Sequence, residues 1–214
     1  MGWLRRRNAD ELRQVRLMAE EDAIQFGEDL ARFGELLAGR ELDAETRHDY
    51  QAALDAYETA KRQVDRLTSI EQISAVVDTL TGGRYALACV RARVAGEPVP
   101  ERRTPCFFNP QHGPAARNIV WTPRNGPTRT VPACAQDAAR VQAGEDPPVR
   151  TVRYGEQDVP AWEAGAPNEP YRAGFFAASG ARAYVMELKL RLKGEGRGQW
   201  GTDLGRPRIR RPYD

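Results

Sequence analysis

The sequence is poor in the residues that most often build chemical sites. It has only three cysteines and two histidines among its 214 residues. An odd number of cysteines does not favour a closed set of disulfides, and no Cys-x-x-Cys pair occurs. Walker-type loops, nucleophile elbows and His-Glu-x-x-His motifs are also missing. The commonest enzyme signatures are therefore excluded.

Long apolar stretches are missing as well. No run of about 18 apolar residues occurs, so no membrane-spanning helix is predicted. The first seven residues include three arginines, but no apolar segment follows them, which argues against a secretory signal. We therefore expect a cytoplasmic protein whose cysteines stay reduced.

Positive charge is in small excess and unevenly placed. The formal net charge is +2, too small to indicate nucleic-acid binding by itself. Residues 189–214 carry eight basic and three acidic residues. The Gly-, Arg- and Pro-rich tail over 193–214 is predicted to lack a fixed structure unless a partner orders it.

The N-terminal part has the periodicity of long amphipathic helices. A first helix is predicted from a capping box at Asn8 and Glu11 to a stop at Gly39. Apolar residues three and four positions apart form one stripe along it, interrupted at Asp22. A second helix is predicted after Asp43, and the short connection between the two predicts an antiparallel hairpin.

A third helix is predicted from a capping box at Ser69 and Gln72. Gly82-Gly83 is predicted to interrupt it and to leave a fourth helical segment over 84–94. Residues 8–96 together are predicted to form a small helical bundle.

Proline changes the character of the chain from residue 97. Eight prolines fall within 97–133 and exclude helix over most of that stretch. The predicted elements are strands at 118–121 and 128–131, a helix at 134–142, and weaker strands at 149–154 and 159–162. A helix is favoured for the first half of 181–192, in a loop-rich extension over 163–214.

The cysteines and one histidine form a single candidate site. Three thiols and an imidazole are a usual tetrahedral zinc set, and the members here are Cys89, Cys106, His112 and Cys134. Cys106 and His112 flank a Pro- and Gly-containing loop, and Cys134 begins a predicted helix, where a thiolate is favoured. Loop, hairpin and helix-borne ligand follow the plan of a zinc ribbon or treble clef. We predict structural Zn²⁺ bound in 97–162.

Other interpretations of these residues stay open. Cys89 is the conditional ligand, because it could instead be a small buried core residue. Without it, three ligands and a water would be a catalytic zinc geometry, with Glu101 or Asp137 as the nearest carboxylates in the sequence. Cys106 and His112 could also form a nucleophile pair, although no orienting residue is evident from spacing.

Two features suggest binding partners. A two-helix hairpin cannot bury both of its faces alone, so a protein partner or self-association is expected. The tail could contact phosphates or an acidic protein surface through Trp200, Arg206, Arg208, Arg210 and Arg211. A nucleic-acid-binding protein would add the arginines at 102, 103, 117, 124 and 129.

Four runs of sequence resemble an uncharacterised family of actinobacterial proteins. The runs are Asp55–Lys61, Gly83–Val90, Pro105–Pro114 and Val131–Cys134. The resemblance covers roughly residues 20–162 and implies a helical hairpin ahead of a Pro-rich Cys/His module, with no established activity.

Together these observations predict an α+β protein with a helical bundle, a zinc module and a basic tail. The predicted function is a non-enzymatic scaffold or adaptor that binds a protein partner through the hairpin or the tail. The alternatives are a nucleic-acid-binding protein and a zinc-dependent hydrolase.

Overall fold

The computed structural model describes residues 2–123, 126–154 and 157–162. The N-terminal part contains helices α1 (Gly2–Leu37), α2 (Ala44–Asp65) and α3 (Ile73–Ala95). After them come a hairpin of β1 (Arg117–Trp121) and β2 (Arg129–Ala133), helix α4 (Ala135–Gln142), and a second hairpin of β3 (Thr151–Tyr154) and β4 (Gln157–Pro160). The fold is thus mixed helix with small antiparallel sheets, as predicted. The predicted helix within 181–192 and the tail lie outside the described residues.

Helices α1 and α2 form the predicted antiparallel hairpin. The ring of Tyr57 lies so close to Gly27 that a Cβ there would come within 2.6 Å of it, and Tyr50 lies in the same way beside Gly34. Later residues of α2 therefore meet earlier residues of α1. The glycines leave room for the rings, which explains why α1 tolerates residues of low helix propensity.

The helix starts agree with the predictions except at α1. Asp43 caps α2, accepting hydrogen bonds from the backbone N–H and the hydroxyl of Thr46 at 2.7 and 2.8 Å. The capping box of Ser69 and Gln72 is also present. Helix α1, however, starts at Gly2, so the predicted cap at Asn8 is wrong. The leucine and arginines before Asn8 are strong helix formers and extend the helix.

Helix α3 runs without interruption through Gly82 and Gly83, so the predicted break there is wrong. Gly83 is buried at the point where the three helices meet. A Cβ on Gly83 would lie 2.7 Å from the Cβ of Ala56 in α2 and 2.7 Å from the ring of Phe26 in α1. The glycine therefore permits close packing, and its burial in a helix outweighs its poor propensity.

A second core lies under the two hairpins. Its centre is a group of aromatic rings, in which Phe107 stacks on Trp162 with centroids 4.8 Å apart and Trp121 meets Phe108 edge to face. Val131 of β2 is fully buried against them. Met18 of α1 also packs on this core, so the first helix contacts both halves of the described chain.

Among the helices in the described ranges, none combines the length and apolar character needed to cross a membrane.

We expect Gly83→Ala to destabilise the protein by about 1–3 kcal/mol, because the added methyl group overpacks the helix crossing. Gly82→Ala is the matched control, since nothing lies within 4 Å of a Cβ at that position. It should raise the free energy of unfolding by about 0.5–1 kcal/mol through helix propensity. Urea unfolding of both variants measures the difference. Equal effects of the two substitutions would contradict the packing described for Gly83.

Candidate metal centre

Four side chains converge on one point between the first hairpin and helix α4. They are Cys106, His112, Cys134 and Asp137, and one potential ligand atom from each lies within 4.8 Å of all the others. Three of these were predicted from the sequence, and Asp137 is the fourth. The group is close enough to hold a metal ion.

The loop from Cys106 to His112 closes on itself and so brings its two ends together. The N–H of Cys106 donates to the carbonyl of Gly113 at 3.0 Å. The Asn109 side chain accepts from the N–H of Gln111 at 3.0 Å and starts a single 3-10 turn, Pro110–His112. Gly113 follows with φ +85°, a conformation that favours glycine. The short turn therefore places the imidazole beside the thiol.

The other two side chains come from the start of α4. Cys134 is the N-cap residue, and its sulfur accepts the N–H of Asp137 at 3.4 Å. A spacing of three residues puts both side chains on the same end of the helix. From the sequence, Asp137 was considered only as a carboxylate near a catalytic zinc. Its side chain is 1% exposed and lies among the candidate ligands.

The contacts converge on one nitrogen of the imidazole. Nδ1 of His112 lies 2.9 Å from Oδ2 of Asp137 and 3.7 Å from Sγ of Cys134. The thiol of Cys106 donates to the same Asp137 oxygen at 3.2 Å. In a Cys-His-Asp relay the nucleophile and the carboxylate use opposite ring nitrogens. This geometry therefore does not support the nucleophile pair and instead resembles a metal-ligand set.

The interactions within the site shift the pKa values of the two thiols in opposite directions. The hydrogen bond with Cys106 lowers the pKa of Cys134 to about 5, and the His112 contact adds to this. The same thiol–thiol bond, together with burial, raises the pKa of Cys106. The bond with Cys134 also raises the pKa of His112, aided by the charge of Asp137. Without a metal, Cys134 is therefore the favoured thiolate.

One atom of the site has no hydrogen-bond partner. Oδ1 of Asp137 is buried and unsatisfied, although Oδ2 is engaged. Leaving a buried carboxylate oxygen without a partner costs more than about 1–3 kcal/mol. A cation bound among the four side chains would compensate the negative charge of the Asp137 carboxylate. The residues present therefore fit a metal ion.

Cys89 does not belong to this group. It lies on α3, is 3% exposed and hydrogen-bonds with the side chain of Tyr85. Burial raises the pKa of its thiol. The structure thus gives Cys89 the place of a core residue, the alternative that its sequence context left open.

A buried polar network connects the site to α1. Asp22 accepts the side-chain amide of Gln111 at 2.6 Å and pairs with Arg150 at 2.7 Å. Its backbone carbonyl accepts a hydrogen bond from Arg84 of α3 at 3.1 Å. Gln111 directly precedes His112, so Asp22 fixes the turn that carries the imidazole. This network also explains the polar residue within the apolar stripe of α1.

Three of the arginines predicted to bind nucleic acid make local contacts within the described residues. Arg103 pairs with Glu101, Arg117 donates to Gln142, and Arg102 lies over the ring of Tyr85. Those of the tail and the turn lie outside the described residues: Trp200, Arg206, Arg208, Arg210, Arg211 and Arg124.

Comparison of the chain with protein-family models, with curated proteins and with solved structures found no match.

We expect Asp22→Asn to lower the free energy of unfolding by about 3 kcal/mol, because it removes the charge that faces the buried guanidinium of Arg150. Asp29→Asn on the same helix is the control. Asp29 pairs with Arg32, whose side chain is 63% exposed, and such a surface pair contributes less than about 1 kcal/mol. Denaturant unfolding at neutral pH compares the two variants, and similar losses would contradict the role given to Asp22.

Proposed function

We propose that the protein is a non-enzymatic scaffold in which a structural zinc ion holds together the module of residues 97–162. The observation that carries this proposal is the convergence of Cys106, His112, Cys134 and Asp137 on one point. Two thiolate sulfurs, one imidazole nitrogen and one carboxylate oxygen suit zinc better than magnesium or calcium, which prefer oxygen ligands.

The spacing of the four groups is compatible with a tetrahedral ion. Zinc bonds of about 2.0–2.3 Å hold ligand atoms about 3.3–3.8 Å apart. Three of the six pairs, His112–Asp137, Cys106–Asp137 and Cys134–His112, lie 2.9 to 3.7 Å apart, and all six lie within 4.8 Å. Small side-chain rotations would therefore be enough to coordinate the ion.

Four protein ligands favour a structural role over catalysis. A zinc hydrolase keeps one coordination position for water. Here Asp137 would occupy that position. Glu101, the other carboxylate considered from the sequence, is engaged by Arg103 at 3.0 Å. The hydrolase is therefore the weaker proposal.

A structural ion at this position would join two elements that are separated in the chain by the β1–β2 hairpin. It would tie the loop from Cys106 to His112 to the start of α4. This order of loop, hairpin and helix is the reason for proposing a treble-clef-like module.

The surface of α1 supports the adaptor role. Leu17 and Ile24 are 59% and 61% exposed, and Ala31 is exposed seven residues further on. The spacing of seven places them on one side of the helix, away from the buried stripe. We call this surface the α1 stripe and propose that a partner protein, in the simplest case a second copy, packs on it.

The zinc proposal predicts about one zinc ion per chain in protein purified under reducing conditions. Cys106→Ser and Asp137→Ala should each weaken zinc affinity by about 100-fold or more, the upper range known even for changes outside the ligand shell. Competition with a chromogenic chelator measures the affinity. Cobalt substitution should give the spectrum of a tetrahedral thiolate complex.

Cys89→Ser is the matched control, because it removes a thiol that lies outside the cluster. Its zinc content and affinity should equal those of the unaltered protein. Protein that contains no stoichiometric metal after reconstitution would refute the proposal, as would a Cys89 variant that loses its zinc.

The α1 stripe predicts self-association that depends on concentration. Leu17→Glu combined with Ile24→Glu should shift the protein to a monomer in sedimentation velocity, because burial of each aliphatic side chain contributes about 1.5–3 kcal/mol. Leu36→Glu is the control, since Leu36 is 63% exposed but lies about a third of a turn away from the stripe. A monomer at all concentrations of the unaltered protein would exclude a second copy as the partner.

A further inference from the structure

We propose that Cys134 is a site of oxidation by hydrogen peroxide and that Cys106 resolves it as a disulfide, which releases the zinc ion. This inference rests on the proposed zinc site and assigns a form of regulation to it. It adds a redox-sensing activity to a site whose role is otherwise architectural.

The two sulfur atoms belong to one cluster of side chains. Their Sγ atoms lie within 4.8 Å of each other, and both cysteines contact another member of the cluster, Cys106 the carboxylate of Asp137 and Cys134 the imidazole of His112. A disulfide needs an S–S distance of about 2.05 Å, so the atoms must approach by less than about 2.8 Å.

The backbone holds the two cysteine segments side by side. The N–H of Phe107 donates to the carbonyl of Pro132 at 2.9 Å, two residues before Cys134. The N–H of Ala116 donates to the carbonyl of Ala133 at 2.8 Å. Side-chain rotation, rather than rearrangement of the hairpin, would therefore close the bond.

Exposure distinguishes the attacked cysteine from the resolving one. Cys134 is partly exposed, whereas Cys106 is 0% exposed and Cys89 is 3% exposed. Peroxide therefore reaches Cys134 first, and the buried Cys106 then reacts with the oxidised Cys134. Cys89 lies on α3, outside the cluster, and serves as an internal reference thiol.

The chemistry proceeds in two balanced steps. The thiolate of Cys134 attacks one peroxide oxygen, the O–O bond breaks, and the products are a sulfenic acid and hydroxide. The thiolate of Cys106 then attacks the Cys134 sulfur, the S–S bond forms, and the S–O bond breaks with loss of a second hydroxide. Two protons convert the hydroxides to water. The two thiolates lose two electrons, which reduce the peroxide.

Loss of both thiolates removes half of the ligand set. Only His112 and Asp137 would remain, which is fewer than the three or four protein ligands of zinc sites. The ion would leave as Zn²⁺, and a dithiol reductant would restore the site by exchange with the disulfide.

The test uses the full-length protein loaded with zinc, with its metal content measured before any oxidant is added. Hydrogen peroxide is then titrated, released zinc is followed with a chromogenic chelator, and the disulfide is located by peptide mapping. We expect one zinc ion released per Cys106–Cys134 disulfide, with Cys89 oxidised at least about tenfold more slowly. Dithiothreitol and added zinc should reverse the change.

Two variants sharpen the result. Cys89→Ser should release zinc as the unaltered protein does. Cys106→Ser should accumulate sulfinic acid at Cys134 without an intramolecular disulfide; if this variant fails to fold, mapping of the unaltered protein still decides the question. Zinc-loaded protein that forms no Cys106–Cys134 disulfide, or releases no zinc when it does, overturns the redox inference alone. Reduced protein without zinc overturns the proposed function as well.

Discussion

The described structure depends on one carboxylate, Asp22, whose side chain is only 13% exposed. Asp22 lies on the inward stripe of α1, where a charge is costly unless it is paired. Its partners come from distant parts of the chain, Gln111 beside the candidate metal centre and Arg150 before β3. Because two buried charges neutralise each other there, the interaction fixes which surface of α1 the module can occupy. Apolar packing by Met18 adds contact area but no comparable directional constraint.

The candidate metal centre also contains a carboxylate that is removed from solvent and needs compensation of its charge. Asp137 is buried with one oxygen unsatisfied, in contact with His112 and Cys106. Hydrogen bonds alone satisfy only part of this group, since a carboxylate has about four acceptor sites. A divalent cation would complete it. The proposed ion would therefore interact with the Asp137 oxygen that no protein group satisfies, whether or not the sequence contains a zinc motif.

The sequence predicted periodic features well and long-range ones poorly. The stripes, the caps at Asp43 and Ser69 and the helix after Cys134 are local, so spacing alone identifies them. The helix break predicted at Gly83 was wrong because this glycine allows close contact with the neighbouring helices, and residue spacing does not reveal such contacts. Asp137 was not predicted as a ligand for a related reason: a carboxylate in the first turn of a helix has a sufficient local explanation. The Cys-x-x-Asp spacing becomes informative only once the burial of Asp137 is known.

The two polar centres act on neighbouring residues of a single turn. Gln111 is held by Asp22, and His112 belongs to the candidate metal centre. A ligand that binds one arrangement stabilises that arrangement by its binding free energy. Zinc at His112 would therefore also favour the position of Gln111 that reaches α1, and Asp22 would in turn preorganise the imidazole. Oxidation of the thiols would remove the stabilisation of this turn by zinc, while the stabilisation by Asp22 would remain. The proposed zinc site would thus allow a local change at Cys134 to alter how firmly the module is held on the helices.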